Sequence, residues 1–362
     1  MKNQTKKKDK ITGEFLDKIK EEFKEQNPYI AEMEELSKKW WQKRLEEKGE
    51  VPEENTLMIL KRWGSKAPTL MKVKGGGYLL FINKMGIVID PGYYFKDNLL
   101  ELGYTIANIN IIIITHNHPD HTDDLVKLIN GIRERKQHVD LYTTPLTYEM
   151  FNKVIDTNED YVHFNELNGS SIKIHDSPYQ IIFPDAYHKE IPEERDDEHR
   201  AKGVTIVNKK TKEVVISISG DTKFKNQLLR SHKDVRLLIS HIGSPSGSEN
   251  HLGYIGTEKL IKGVNPEFVI VSEFDMEEFG APGTRLATIN KLQNTTRKII
   301  LVGDIGLSVQ FEGTFQIKAV CQICAKQHWV NIEQVKQIEV NDEIGNRIEY
   351  LTEKCPNDVD FV

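Results

Sequence analysis

Cysteine is scarce in this chain, with three residues in 362, all within the last 42. That excludes the disulfide framework of a small secreted scaffold and points to a reducing, cytoplasmic setting. Long apolar runs are also lacking. Five lysines in residues 1–10 are followed by no apolar stretch, and no run approaches the roughly 20 residues that span a bilayer, so neither export nor membrane insertion is expected. Nor is there a basic excess, because 49 Lys and Arg stand against 55 Asp and Glu, a net charge of −6. A polyanion would have to be held by a local patch rather than by the field of the whole molecule.

What the chain does have is enough apolar material, 38%, for one large core with additions. Residues 11–49 carry helical spacing and no strand signal. Phe15, Leu16, Ile19 and Phe23 line one helix; Asn27-Pro28 opens a second, whose stripe runs through Ile30, Met33, Leu36, Trp40 and Leu45. Residues 1–55 are therefore expected to form a helical appendage, either packed with a solvated outer face or serving as a homodimer or protein-partner arm. From Thr56 onward, short β-branched runs alternate with glycine-rich turns. Gly75-Gly76-Gly77 lacks the Lys-Ser/Thr of a phosphate loop and predicts a close approach between strands instead. Residues 189–200 are rich in Glu and Asp and predict a solvated surface insertion.

The chemistry concentrates in Thr115-His116-Asn117-His118-Pro119-Asp120-His121, directly after the apolar run Ile111–Ile114. Three imidazoles and a carboxylate at the mouth of a buried strand form a mixed N/O set suited to zinc and neighbouring first-row metals. His116 and His118 can converge on one ion, leaving Asp120 and His121 to face a second. Asp90 and Asp221 each end an apolar strand, where a carboxylate is either a turn former or a partner for a metal-bound histidine. Later come His241, at the end of Val235–Ser240, and His251, beyond a Gly/Ser loop.

In their order, Asp90, His116-x-His118-x-Asp120-His121, a further His, and Gly220-Asp221-Thr222 resemble the metallo-β-lactamase superfamily over residues 56–318. The resemblance implies an α/β fold, a four-layer αβ/βα sandwich with the site along one edge of the sheets. It implies that His116, His118 and a third His, either His188 or His199, hold one divalent ion, that Asp120 and His121 hold another, and that Asp221 bridges them. Zinc is the first expectation for the two ions, with manganese or iron as alternatives. The chain departs at the last strand end, where the family carries His and this sequence reads Glu273. Either Glu273 is a harder, anionic ligand, or it turns away and the second site is weak.

Within the superfamily the layout is most similar to the ribonuclease Z branch. That likeness places His251 as the proton donor to the leaving oxygen and His241 where the branch has its carboxylate partner. It implies a hydrolase, a phosphodiesterase or nuclease acting on RNA, DNA or a nucleotide through a bridging hydroxide. The alternatives are a lactone or thioester hydrolase, or a binding protein with weakened catalysis. In residues 319–362, Cys321-x-x-Cys324 and Cys355-x-x-Asp358 resemble a zinc ribbon with one Cys replaced. This predicts a small C-terminal β module with a structural zinc, His328 being the rival fourth ligand.

Overall fold

Four consecutive isoleucines, Ile111–Ile114, make a fully buried strand. Such a run suits a parallel strand covered on both faces, and it pairs in parallel with Met85–Ile89 and Val139–Thr143. The chain is described from a computed structural model, over residues 28–64, 75–152, 160–167, 169, 171–190, 201–342 and 345–355. It divides into two compact units, Met1–Glu47 and Lys48–Val362. In the first, the expected second helix is present as Pro28–Glu46, with Met33, Leu36, Trp40 and Trp41 exposed. The expected first helix lies outside the described residues.

The second unit is built on two sheets. Among the described residues, one is 11-stranded and runs in the order Lys336–Asp342, Gly345–Thr352, Gln316–Cys321, Ser308–Gln310, Thr56–Ile59, Tyr78–Ile82, Met85–Ile89, Ile111–Ile114, Val139–Thr143 and Val162–Glu166, with Gln327–Asn331 beside Gln316–Cys321. The other is 8-stranded, in the order Ile299–Val302, Phe268–Asp275, Val235–Gly243, Val214–Ile218, Val204–Asn208, Tyr179–Ile182 and Ser171–Lys173, with Trp63–Gly64 beside Phe268–Asp275.

Side chains alternate across each strand, and the alternation produces the layers. Ile111 and Ile113 join a core with Ile216, Ile218, Leu237 and Ile239 of the other sheet, whereas Ile112 and Ile114 pack on Leu125, Leu128, Ile129 and Ile132 of the helix Leu125–Arg135. Leu260 and Ile261 of Gly253–Val264 and Ile289 and Leu292 of Thr284–Thr296 join the core of the second sheet. This is the αβ/βα sandwich, with the HxHxDH segment on a strand-to-helix loop.

The C-terminal strands pack on the sandwich. Gln316–Cys321 runs across the expected boundary at residue 318, pairing with Ser308–Gln310 and continuing the first sheet. Ile317, Ala319, Val330, Ile332, Ile348 and Tyr350 belong to the main core, so these short strands bury their apolar face against the sandwich rather than against one another. A buried polar junction adds to this. Asp304 accepts from Arg62 Nε at 2.9 Å, Arg285 Nη2 at 3.2 Å and Ile348 N at 2.8 Å, and Tyr350 donates its hydroxyl to Val302 O at 2.6 Å. Among the described residues no helix is long and apolar enough to cross a membrane.

Candidate metal centre

Asp90 sits at the end of Met85–Ile89 with φ at +52°, and its backbone N–H donates to Ile113 O at 2.9 Å. That register puts its carboxylate under the loop that follows Ile114. Oδ1 accepts from Thr115 N at 2.7 Å, and Oδ2 accepts from Thr115 Oγ1 at 2.7 Å and His121 Nδ1 at 3.0 Å. Thr115 has therefore spent its hydroxyl proton on Asp90 and accepts from His116 Nδ1, 3.2 Å away. His116 is thereby protonated on Nδ1 and presents its Nε2 lone pair to the site. His121 also donates through Nδ1; burial and Lys61 oppose its charge, but Asp120, Asp221 and Asp90 outweigh them and raise its pKa well above the ordinary imidazole value. Both Nε2 atoms are buried without a hydrogen-bond partner.

His188 closes the set. Its Nδ1 donates to Asn250 O at 3.0 Å, which aims Nε2 at His118 Nδ1, 2.9 Å away. Two imidazole acceptors that close are satisfied only by a shared cation or a single proton. Ligand atoms of His116, His118 and His188 lie within 4.8 Å of one another. Burial pushes His116 and His118 below the ordinary imidazole value and His188 down to about 4, so the three rings are neutral near neutral pH. Three neutral imidazoles whose ligand atoms converge, one of them with a buried Nε2 that has no hydrogen-bond partner, fit a first-row divalent ion. His199, the rival to His188, lies outside the described residues.

Asp221 stands between this group and a second one. Its Oδ2 is 3.8 Å from His116 Nε2 and 3.3 Å from His121 Nε2, and its Oδ1 accepts from His241 Nδ1 at 3.0 Å. Burial opposes its charge, but His121, His241 and His251 outweigh that and hold the carboxyl well below the usual range. His121 Nε2 lies 3.4 Å from Asp120 Oδ2, and Asp120, His121 and Glu273 can bring ligand atoms within 4.8 Å. Glu273 is buried at φ +58° and faces this group instead of turning away. Between Glu273 and Asp120 lies Lys61, whose side chain is fully buried. Its Nζ contacts Glu273 Oε1, lies 3.8 Å from Asp120 Oδ2, and donates to Asp120 O at 3.3 Å. Burial works against the ammonium, but Glu273, Asp120 and Asp221 overcome it and raise its pKa.

His251 and His241 separate in role. His251 lines a cavity of about 440 Å³ with His118, Asp120, Asp221, Tyr93 and Asn250, and its Nδ1 is 3.9 Å from Asp221 Oδ2. His241 does not reach the cavity. It is fully buried, with Nδ1 on Asp221 and Nε2 taken by the Tyr78 hydroxyl at 2.7 Å. The expected pairing of His241 with His251 is thus replaced by a brace on Asp221, since both ring nitrogens are already engaged.

Sequence reasoning missed Lys61 and Tyr78, neither of which stands in a recognisable motif, and gave Thr115, the first residue of the HxHxDH segment, no role of its own. It also misplaced Glu190. That residue was expected on a solvated insertion, yet it is buried and accepts from Asn117 N at 3.2 Å and Thr144 Oγ1 at 3.0 Å, buttressing the His116–His118 turn. The expected close approach at Gly75–Gly77 is present. Gly76 has φ +128°, and a Cβ there would meet Leu60 O at 1.8 Å, so the backbone beside Lys61 admits only glycine.

At the chain's other end, Cys321, Cys324 and Cys355 bring their sulfurs within 4.8 Å, and Cys324 Sγ is 3.0 Å from His328 Nε2. The parallel pairing of Cys321 with Thr352 brings Cys355 back to the Cys321–Cys324 turn. Asp358 lies outside the described residues.

Comparison with known proteins matches this frame. A family model described as Beta-lactamase superfamily domain matches residues 86–272, just over half of the chain. Comparison with curated proteins finds no match. Among solved structures, the metallo-β-lactamase fold protein YhfI from Bacillus subtilis is 13% identical with a TM-score of 0.57, covering 71% of this chain and 99% of its own. The short form of human tRNase Z is 14% identical with a TM-score of 0.52, covering 71% and 99%. A diphosphatase of the PhnP family is 14% identical with a TM-score of 0.52, covering 71% and 98%. The HxHxDH loop lies inside the matched span, Asp90 and Asp221 flank it there on their strand ends, and the sandwich encloses them. On these grounds the chain belongs to the metallo-β-lactamase superfamily of metal-dependent hydrolases.

Proposed function

We propose that this protein is a metal-dependent phosphodiesterase acting on a nucleotide or on an end of a nucleic acid. The observation that carries the proposal is the position of His251, about one-third exposed at 32%, in the same cavity as His118 and Asp221. An alkoxide leaving group needs a proton, and His251 can deliver one from the cavity wall. His116, His118 and His188 would hold the ion, with Asp221 as the anionic ligand braced by His241. A divalent ion held there would supply Lewis acidity and an activated water. Asp120 stands at the cavity edge, where it orients the attacking water. The volume of about 440 Å³ suits a nucleotide-sized group. The tRNase Z and diphosphatase names of two structural neighbours support the phosphoester class.

A second reading rests on charge. The cavity is lined by Asp120, Asp221, Glu273, Asp275 and Glu277, and among its described lining residues there is no Lys or Arg. That lining favours a neutral ester, lactone or thioester over a long polyanion. Rates on bis(p-nitrophenyl) phosphate, a cyclic nucleotide, a lactone and an acyl thioester, each with and without a chelator, separate the two. Chelator-sensitive phosphodiester turnover at least tenfold above the others is expected. Turnover confined to the carbonyl substrates would replace the proposal with the second reading.

We propose further that Cys321, Cys324, Cys355 and His328 hold a structural zinc, a Cys₃His set on a tight turn. Cys324→Ser is expected to lower zinc content by one per chain and to lower the melting temperature, leaving turnover within twofold. Unchanged zinc content would remove this site.

A further inference from the structure

Lys61 is the one described lysine whose side chain is wholly buried, and it is buried against metal-ligand candidates. Its position is built into the fold. Two residues on, Trp63–Gly64 pairs in parallel with Phe274–Asp275, which locks the Lys61 turn beside Glu273. A Cβ at Gly64 would meet Glu273 Oε2 at 2.8 Å, so the sequence keeps that approach open. Glu273 in turn holds a left-handed backbone, uncommon for a side chain with a Cβ, and this directs its carboxylate to Lys61 and His121.

A divalent ion on Asp120, His121 and Glu273 would need oxygen and nitrogen ligands at about 2.0–2.2 Å. Glu273 Oε1 already contacts Lys61 Nζ, and Asp120 supplies both a backbone acceptor at 3.3 Å and a carboxylate oxygen at 3.8 Å to the same nitrogen. An ion there would sit beside the ammonium and compete with it for the Glu273 and Asp120 carboxylates. Among the described residues no buried lysine or arginine stands against the His116, His118 and His188 group.

We infer that Lys61 occupies the second cation position, so that the centre takes a single divalent ion, on His116, His118 and His188 with Asp221, beside the Lys61 amine held by Glu273 and Asp120. Glu273 and Lys61 then form a matched substitution: the carboxylate replaces a neutral ligand because it has an amine to hold rather than a metal. The inference rests on the metal-dependent reading above and concerns its stoichiometry. Lys61 does not line the cavity and acts as a positioning residue, fixing Asp120 and Glu273.

Mn²⁺ titration of the full chain followed by electron paramagnetic resonance tests it, since Mn²⁺ has little affinity for the cysteine group. The unaltered protein is expected to bind one Mn²⁺ per chain at the histidine centre, with the six-line spectrum of an isolated ion. Lys61→Met is expected to admit a second and to show an exchange-coupled pair, while Lys61→Arg retains one. Two coupled ions in the unaltered protein would overturn the inference and leave the hydrolase reading standing. A folded Lys61→Met that still takes one ion would also overturn it. No bound Mn²⁺ in any variant, with no metal-dependent turnover, would overturn both.

Discussion

Asp90→Asn is expected to weaken divalent-ion binding about 10- to 100-fold, although Asp90 is a neighbour of the proposed ligands rather than one of them. Its carboxylate accepts from Thr115 N, Thr115 Oγ1 and His121 Nδ1 at 2.7, 2.7 and 3.0 Å. An amide of the same shape has one acceptor oxygen and one donor nitrogen, so at least one N–H or O–H would face another donor. If the amide nitrogen meets Thr115 Oγ1 and His121 Nδ1, His121 loses the acceptor for its Nδ1 proton and His116 loses the hydroxyl orientation that keeps the proton off its Nε2. Leaving such a buried donor unmade also costs about 1–3 kcal/mol. Calorimetric titration of the ion, with thermal melts of the metal-free protein, reads both effects. Affinity within twofold of the unaltered chain would show that the tautomers are set elsewhere.

Asp304→Ala is expected to destabilise the fold by about 3–5 kcal/mol, the usual consequence of removing one partner from a buried ion pair. Asp304 and Arg285 are fully buried and Arg62 is 5% exposed, so two guanidinium groups would lose the Asp304 carboxylate in a place water does not reach. Arg285 is also stacked 4.5 Å over Trp63, which cannot neutralise it. Because Asp304 Oδ2 also accepts from Ile348 N, the loss should loosen the C-terminal strands first. Urea unfolding gives the size, and hydrogen exchange over residues 345–352 gives the place. Asp234→Ala provides the contrast: its pair with Lys233 is about three-quarters exposed on both sides, and such pairs contribute at most about 1 kcal/mol. A loss at Asp304 no larger than at Asp234 would mean that the junction is not an energetic unit.

The two expectations mark different reaches of sequence reasoning. Ile111–Ile114 announced a buried strand, and the residues beyond it announced a metal site, because each signal is local: a β-branched run, and imidazoles two and three residues apart. Asp90 and Asp221 were legible as strand-end carboxylates, and His188 as a candidate for the third imidazole. The contacts that brace them were not. Asp90 meets His121 across 31 positions, Tyr78 meets His241 across 163, and Arg62 meets Asp304 across 242. No periodicity in one chain encodes such separations, which are set by sheet register.

The zinc-ribbon likeness anticipated that the three cysteines gather, and the strand Gln316–Cys321 runs across the boundary expected at residue 318. Sequence spacing cannot tell whether a short β segment packs on itself or extends its neighbour's sheet. The sharpest case is Glu273. By itself the sequence determined that a carboxylate stands where a neutral ligand was expected, and it left open whether that carboxylate holds a metal. Only the tertiary structure placed Lys61, 212 residues earlier in the chain, against it. The pairing of Trp63–Gly64 with the end of Phe268–Asp275 brings the two together, and once buried, an anion and a cation at that distance satisfy one another before any ion arrives.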